Sequence, residues 1–190
     1  VPCFIHAGPF ANIAHGNSSV VADRIALGLA DVVVTEGGFG ADMGAEKFFN
    51  IKCRASGLAP DAAVVVASIR ALKMHGSKAK VTPGKPLPPE ILREDLGALE
   101  RGAANLDKQV ENVTLHGIPA VVAVNRFPED SPREVEWLLA RARKSGAADA
   151  AVSEVFMKGG AGGEELARKV LVQRGKGSGF RLLYPDGVSI

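Results

Sequence analysis

The chain has 190 residues, 46% hydrophobic and 23% charged, with 23 Lys and Arg against 21 Asp and Glu. That length suits one large domain able to bury about 70% of its unfolded surface. A net charge of +2, with no basic run interleaved with aromatic residues, argues against nucleic acid as a partner. No apolar stretch reaches the roughly 18 residues of a membrane span, so no membrane is expected either. No charged leader followed by an apolar segment and a cleavage site is present, and the expected location is cytoplasmic. Cys3 and Cys53 stand without CxxC or Cys/His spacing, which favours buried reduced thiols over a disulfide or a metal site. The chain begins at Val1, already in a strand-like run, which suggests a piece of something longer.

In chain order, Val1–Ile5 reads as a short strand and His6–Asn17 as a loop of Gly, small residues and two histidines. Ser18 is placed to cap a helix running to about Ala30, with Val20, Val21, Ile25, Leu27 and Leu29 as its apolar face. Asp31–Thr35 predicts a strand, Glu36–Gly44 a Gly-rich turn at its carboxyl end, and Ala45–Ser56 a helix. The run Ala62–Ala67 predicts a further strand, leaving through Ile69–Gly76 with two cations and a histidine. Ser77–Pro89, rich in Pro and Lys and without apolar periodicity, predicts a surface excursion. Leu96, Leu99, Leu106, Val110 and Val113 predict a long helix from about Arg93 to His116.

The unbroken run Ala120–Val124 reads as a strand buried on both faces. It ends in Asn125, Arg126, Phe127 and Pro128, and Glu129–Pro132 opens the next helix, with Glu134–Ser145 as its body. Ala147–Val152 predicts a strand, Lys158–Gly163 a Gly-rich turn, and Glu164–Val172 a helix. Phe180, Leu182, Leu183 and Tyr184 are candidates for a last strand. Strand and helix alternate about five times with short connections, which predicts an α/β fold: a mostly parallel sheet with helices on both faces, a Rossmann-like or P-loop-NTPase-like three-layer arrangement. Residues 1–174 form the expected domain and 175–190 a tail.

In such sheets ligands bind beyond the carboxyl ends of the strands. Here those ends hold His6 and His15, Glu36 and Asp42, Arg70, Lys73 and His75, Asn125, Arg126 and Phe127, and Ser153, Glu154, Phe156 and Lys158. As a set, both charge signs with histidines and aromatic rings suit an anionic substrate carrying a flat ring. Taken singly, each has an ordinary structural alternative. Lys158–Gly163 is either an anion cradle at a helix start or a tight structural turn, and it lacks the G-x-x-x-x-G-K-[ST] pattern of a phosphate loop. Phe127 and Phe156, at successive exits, either sandwich a planar ring or belong to the core.

Several blocks in order, His6-Ala-Gly-Pro-Phe-Ala-Asn-Ile-Ala-His-Gly16, Thr35–Lys47, Ile51–Arg54, Val66-Ala-Ser-Ile-Arg-Ala-Leu-Lys-Met-His-Gly76, Asn125-Arg-Phe-Pro128 and Ser153-Glu-Val-Phe-Met-Lys-Gly-Gly160, resemble successive motifs of formate–tetrahydrofolate ligase. The resemblance implies ATP-dependent formylation of tetrahydrofolate: formate attacks the terminal phosphate of ATP, and the folate amine takes the formyl group from formyl phosphate. It implies Phe127, Pro128, Phe156 and Lys158 on the folate side. By the same resemblance His6, Gly8, Phe10, Asn12, His15, Gly16, Glu36 and Asp42 line the nucleotide and formyl-phosphate region. Substrates are then formate, tetrahydrofolate and ATP with Mg, alongside a monovalent cation, and the full-length protein is expected to be a homo-oligomer. Phe156 stands where the family usually has Trp, and Ser77 where a glycine follows Gly76. The family's phosphate loop lies upstream of what is present, and a C-terminal segment lies beyond it. The expectation is therefore a folate-side segment inactive alone, with a non-catalytic folate- or partner-binding module as the alternative.

Overall fold

The computed structural model describes Cys3 and residues 17–188. The chain divides into two units, one of Val1–Ala59 with Phe180–Ile190 and one of Pro60–Gly179.

The second unit is built on three parallel strands in the order β1 (Ala63–Ala67), β2 (Ala120–Asn125), β3 (Asp149–Ser153). Register runs Ala63↔Ala120 to Ala67↔Val124 on one side of β2 and Val121↔Asp149 to Asn125↔Ser153 on the other. Successive strand residues point to opposite faces, and every residue from Ala120 to Val124 is buried, so helices cover both faces of the central strand. This is the α/β architecture the alternating pattern predicts. Edge strand β1 is less covered: Val66 is 68% exposed.

Helix α3 (Ile69–Gly76) follows β1 and packs on α5 (Leu96–Thr114). Their backbones approach so closely that a Cβ on Gly102 would lie 1.8 Å from the Leu72 carbonyl oxygen and one on Gly76 1.8 Å from that of Ala98. Only a residue without a side chain fits at either crossing point. Residues 77–88 are irregular apart from a turn, as the composition predicts, and α4 (Pro89–Leu92) closes the excursion. The long helix begins later than the pattern suggests because Arg93 is extended and the Asp95 carboxylate caps α5, accepting the Ala98 N–H at 2.8 Å. Helix α6 (Pro132–Lys144) has a reciprocal cap in which Ser131 and Glu134 each accept the other's backbone N–H. After β3 come α7 (Val155–Lys158), a 3₁₀ stretch Gly159–Gly163 and α8 (Glu164–Arg174). Leu99, Val110, Ile69 and Leu138 fill the core between helices and sheet, each fully buried side chain of this size contributing about 1.5–3 kcal/mol.

The first unit departs further from expectation. Helix α1 (Val20–Leu29) is capped by Ser19, not Ser18, whose hydroxyl donates to Asp23 at 3.0 Å. Its apolar side chains Val21, Leu27 and Leu29 are exposed, and the residue it buries is Asp23, ion-paired to Lys52 at 2.5 Å. Asp31–Thr35 forms no strand and has no ladder partner among the described residues. An apolar run becomes a strand only beside another strand, and Val34 stays 89% exposed. The helix expected over Ala45–Ser56 is largely wide π-turns, Ala41–Ala45 and Phe48–Cys53, before α2 (Arg54–Ser56). Phe49 is the apolar centre of this unit, its ring 6.2 Å from that of Phe180. The candidate last strand is instead an irregular segment held by Arg54, which donates to the Tyr184 carbonyl at 2.7 Å and pairs with Asp186 at 2.6 Å. Cys53 is buried, which pushes its thiol up to about 12, whereas Cys3 is exposed, contrary to the expectation of two buried thiols.

Candidate functional site

The carboxyl ends of β1, β2 and β3 lie side by side because the strands are parallel and in register. At the β1 end the Ser68 hydroxyl caps α3, accepting the Ala71 N–H at 3.4 Å. The three basic residues that follow separate. Lys73 turns into the core, where its ammonium donates to the Glu134 carboxylate and to the Arg93 carbonyl, each at 2.9 Å. His75 stays at the surface. Arg70 lies over the Phe127 ring, with its Cζ 3.5 Å from the ring centroid, and pairs with Glu129 at 2.9 Å.

At the β2 end the chain turns sharply. The Asp130 carboxylate accepts the Phe127 N–H at 2.8 Å, and the Asp130 N–H donates to the Phe127 carbonyl at 3.1 Å. Burial raises the Asp130 carboxyl above its ordinary value, against the backbone hydrogen bond and the nearby Arg70 and Lys73 charges that lower it. The turn sets Phe127 half-buried and Pro128 exposed at the strand exit. A cleft of about 230 Å³ opens here, lined by Ser68, Arg70, His75, Asn105, Asn125 and Phe127 among others.

At the β3 end Glu154 joins two exits. It accepts from Arg126 at 3.1 Å and from Lys158 at 2.5 Å. The Lys158 ammonium bonded to it, with Arg126 adding to the effect, holds the Glu154 carboxyl below its ordinary value. Phe156, on α7, is 95% exposed. The Gly-rich run after Lys158 is a tight structural turn: the Glu154 N–H donates to the Gly162 carbonyl at 3.0 Å, and a Cβ on Gly162 would sit 2.5 Å from the Glu154 carbonyl.

Of the candidate residues, then, Phe127 and Pro128 share the β2 exit, and Phe156 and Lys158 share the adjacent β3 exit. One face of the Phe127 ring carries Arg70, while Phe156 is open to solvent. Glu36 and Asp42 are exposed on the first unit, around a turn in which the non-glycine Phe39 has φ +60°. His6, Gly8, Phe10, Asn12, His15 and Gly16 lie outside the described residues. Residues missed by sequence reasoning are Glu129 and Asp130, which hold Arg70 and the Phe127 backbone. Their signal is the pair of carboxylates directly after Phe127-Pro128, which the sequence pattern presents as a helix start. Among the described residues no three His, Cys, Asp or Glu side chains converge as a metal site, and no helix is long and apolar enough to cross a membrane.

These features define an α/β protein with a polar, aromatic-bearing edge at the carboxyl ends of its strands, the place where open α/β sheets bind ligands. The family model described as formate–tetrahydrofolate ligase matches residues 1–190. Proteins named formate–tetrahydrofolate ligase are similar along the chain. That of Saccharopolyspora erythraea is 56% identical over 189 residues, covering 100% of this chain and 33% of the relative. That of Aeromonas hydrophila subsp. hydrophila is 54% identical over 186 residues, 98% of this chain and 32% of the relative. That of Desulforamulus reducens is 53% identical over 188 residues, 99% and 33%. The chain belongs to the formate–tetrahydrofolate ligase family, and it spans about a third of the length of these curated relatives.

Proposed function

We propose that this chain supplies the tetrahydrofolate side of a ligase that formylates tetrahydrofolate at the expense of ATP. A formate oxygen attacks the terminal phosphorus of ATP, ADP leaves, and formyl phosphate results. The folate amine then attacks the formyl carbon, phosphate leaves, and the amine gives up its proton. Catalysis of such steps is mostly positioning and charge neutralisation. In this reading Phe127 and Pro128 form the floor for the folate ring, Phe156 closes over it, and Lys158 stands nearby for the anionic part of the ligand. Phe156 retains a π-face but lacks the area and N–H of an indole, which lowers affinity and leaves placement unchanged. His6, Gly8, Phe10, Asn12, His15, Gly16, Glu36 and Asp42 belong to the nucleotide and formyl-phosphate region. Mg travels with the ATP phosphates.

The observation that supports this reading is the fixed, half-buried Phe127 ring at the carboxyl end of the buried central strand, beside an exit that exposes Phe156. Calorimetric titration of the chain with tetrahydrofolate tests it. Phe127→Ala is expected to weaken binding by about 1 kcal/mol or more, the contribution of an aromatic stack. Equal affinity of the two proteins would refute the assignment.

A further inference from the structure

Resting on the reading of Phe127 as the folate floor, we propose that Arg70 is a positioning residue that covers one face of Phe127 and fixes the other as the single face offered to the ligand ring. The guanidinium Cζ lies over the ring 3.5 Å from its centroid, close contact distance, so no second ring fits on that side while Arg70 is in place. Arg70 is itself held. Its Nη2 pairs with Glu129 at 2.9 Å, its side chain is three-quarters buried, and it rises from the first turn of α3, whose start is capped by Ser68. The backbone under the ring is held separately by Asp130, through the 2.8 Å bond to the Phe127 N–H.

Ring and backbone are therefore clamped by two consecutive carboxylates, Glu129 acting through Arg70 and Asp130 acting directly. A phenyl ring on a loop ordinarily turns about two side-chain torsions. Here those contacts hold the ring before the ligand arrives, which lowers the ordering cost of binding. The ligand then extends a stack of guanidinium, phenyl and folate ring. Lysine is a poor substitute, because a compact ammonium lacks the planar face that lies on the ring.

The test is calorimetric titration of the chain with tetrahydrofolate for the unsubstituted protein, Arg70→Met, Arg70→Lys, Glu129→Gln and Phe127→Ala, together with fluorine NMR of 4-fluorophenylalanine at position 127 without ligand. Arg70→Met is expected to weaken folate binding about three- to tenfold, Arg70→Lys by less, and Glu129→Gln about twofold. Thermal midpoints of the Glu129→Gln and Arg70→Lys proteins should stay close to the parent, which separates positioning from a general loss of structure. The fluorine signal should shift and change width in Arg70→Met before any ligand is added. If Phe127→Ala weakens binding but Arg70→Met binds as tightly as the parent, or more tightly because Arg70 must be displaced, the proposal is overturned and the folate floor stands. If neither substitution changes binding, or the parent does not bind, the floor assignment falls and the proposal with it.

Discussion

Glu134→Gln should be among the most damaging single substitutions in the second unit, although it changes one atom. The Lys73 and Glu134 side chains are 2% and 0% exposed. One Glu134 oxygen accepts both the Lys73 ammonium at 2.9 Å and the Asp95 N–H at 3.0 Å, and the other accepts the Ser131 N–H at 3.4 Å. The amide keeps the shape but presents N–H protons to one of these donors, and even with its oxygen turned toward Lys73 it leaves that ammonium buried without a counter-charge. Breaking a buried pair from one side costs about 3–5 kcal/mol, a large part of the 5–15 kcal/mol typical of a whole domain.

The assay is urea unfolding of the chain followed by far-ultraviolet circular dichroism, with Lys73→Met and the double variant measured alongside. Lys73→Met keeps the length of the side chain and leaves a carboxylate that still has two backbone donors, so it should cost less than Glu134→Gln. The double variant should recover a substantial part of the sum, because no uncompensated charge remains. A Glu134→Gln protein within about 1 kcal/mol of the parent would refute the view that this pair is closed to water and unreplaced by other partners.

Other outcomes follow from the same structure. Gly102→Ala should destabilise by at least about 1–3 kcal/mol in thermal unfolding, since its Cβ would meet the Leu72 carbonyl 1.8 Å away on a packed helix. Asp107 bridges α5 to α6 through Arg141 and Ser145, and although burial raises its carboxyl, those hydrogen bonds win and hold it below its ordinary value. A depressed folded-state value means the stabilisation is present above the ordinary carboxylate range and is lost as pH falls through the lowered value. Asp107→Asn should therefore cost about 1 kcal/mol near neutrality and flatten the acid limb of the stability profile. Phe156→Trp should tighten folate binding, by about 0.5 kcal/mol or more, through added stacking area, as read by calorimetry. Exposed Leu29, Val34 and Val66 leave apolar surface open, and multi-angle light scattering should find the isolated chain self-associating as concentration rises.

Periodicity exposed the second unit well. Ala120–Val124 announced a doubly buried strand, and the Leu and Val spacing of α5 announced its buried face, because burial writes its period into the sequence. The first unit departs from its sequence pattern where a strand or helix depends on what lies beside it. The valines of Asp31–Thr35 carry β propensity that no ladder among the described residues uses, and the apolar residues of α1 face solvent while its Asp23 is buried against Lys52. At the strand exits the residue types were legible but their partners were not. Nothing in Asn125–Pro128 indicates that its ring meets an arginine from the preceding exit, 57 positions earlier.

That difference is sharpest on α3. Arg70 and Lys73 are three residues apart, near neighbours on one helical surface, and spacing alone would give them one role. The neighbours divide them. Lys73 meets the carboxylate at the start of α6 and the carbonyl before α5, a closed polar pocket that a compact ammonium can satisfy with few donors. Arg70 meets a ring and a half-exposed carboxylate, a site that rewards a planar cation with donors at its edge. Glu134, Phe127 and Glu129 all belong to the stretch Phe127–Glu134, so the segment that carries the aromatic ring also anchors the helix that covers it. Exchanging the two, Arg70→Lys with Lys73→Arg, should consequently fail in both places. The guanidinium would be too large for the core pocket and the ammonium would leave the Phe127 face uncovered. An exchanged protein with parental stability would show that the two positions do not discriminate between the cations at all.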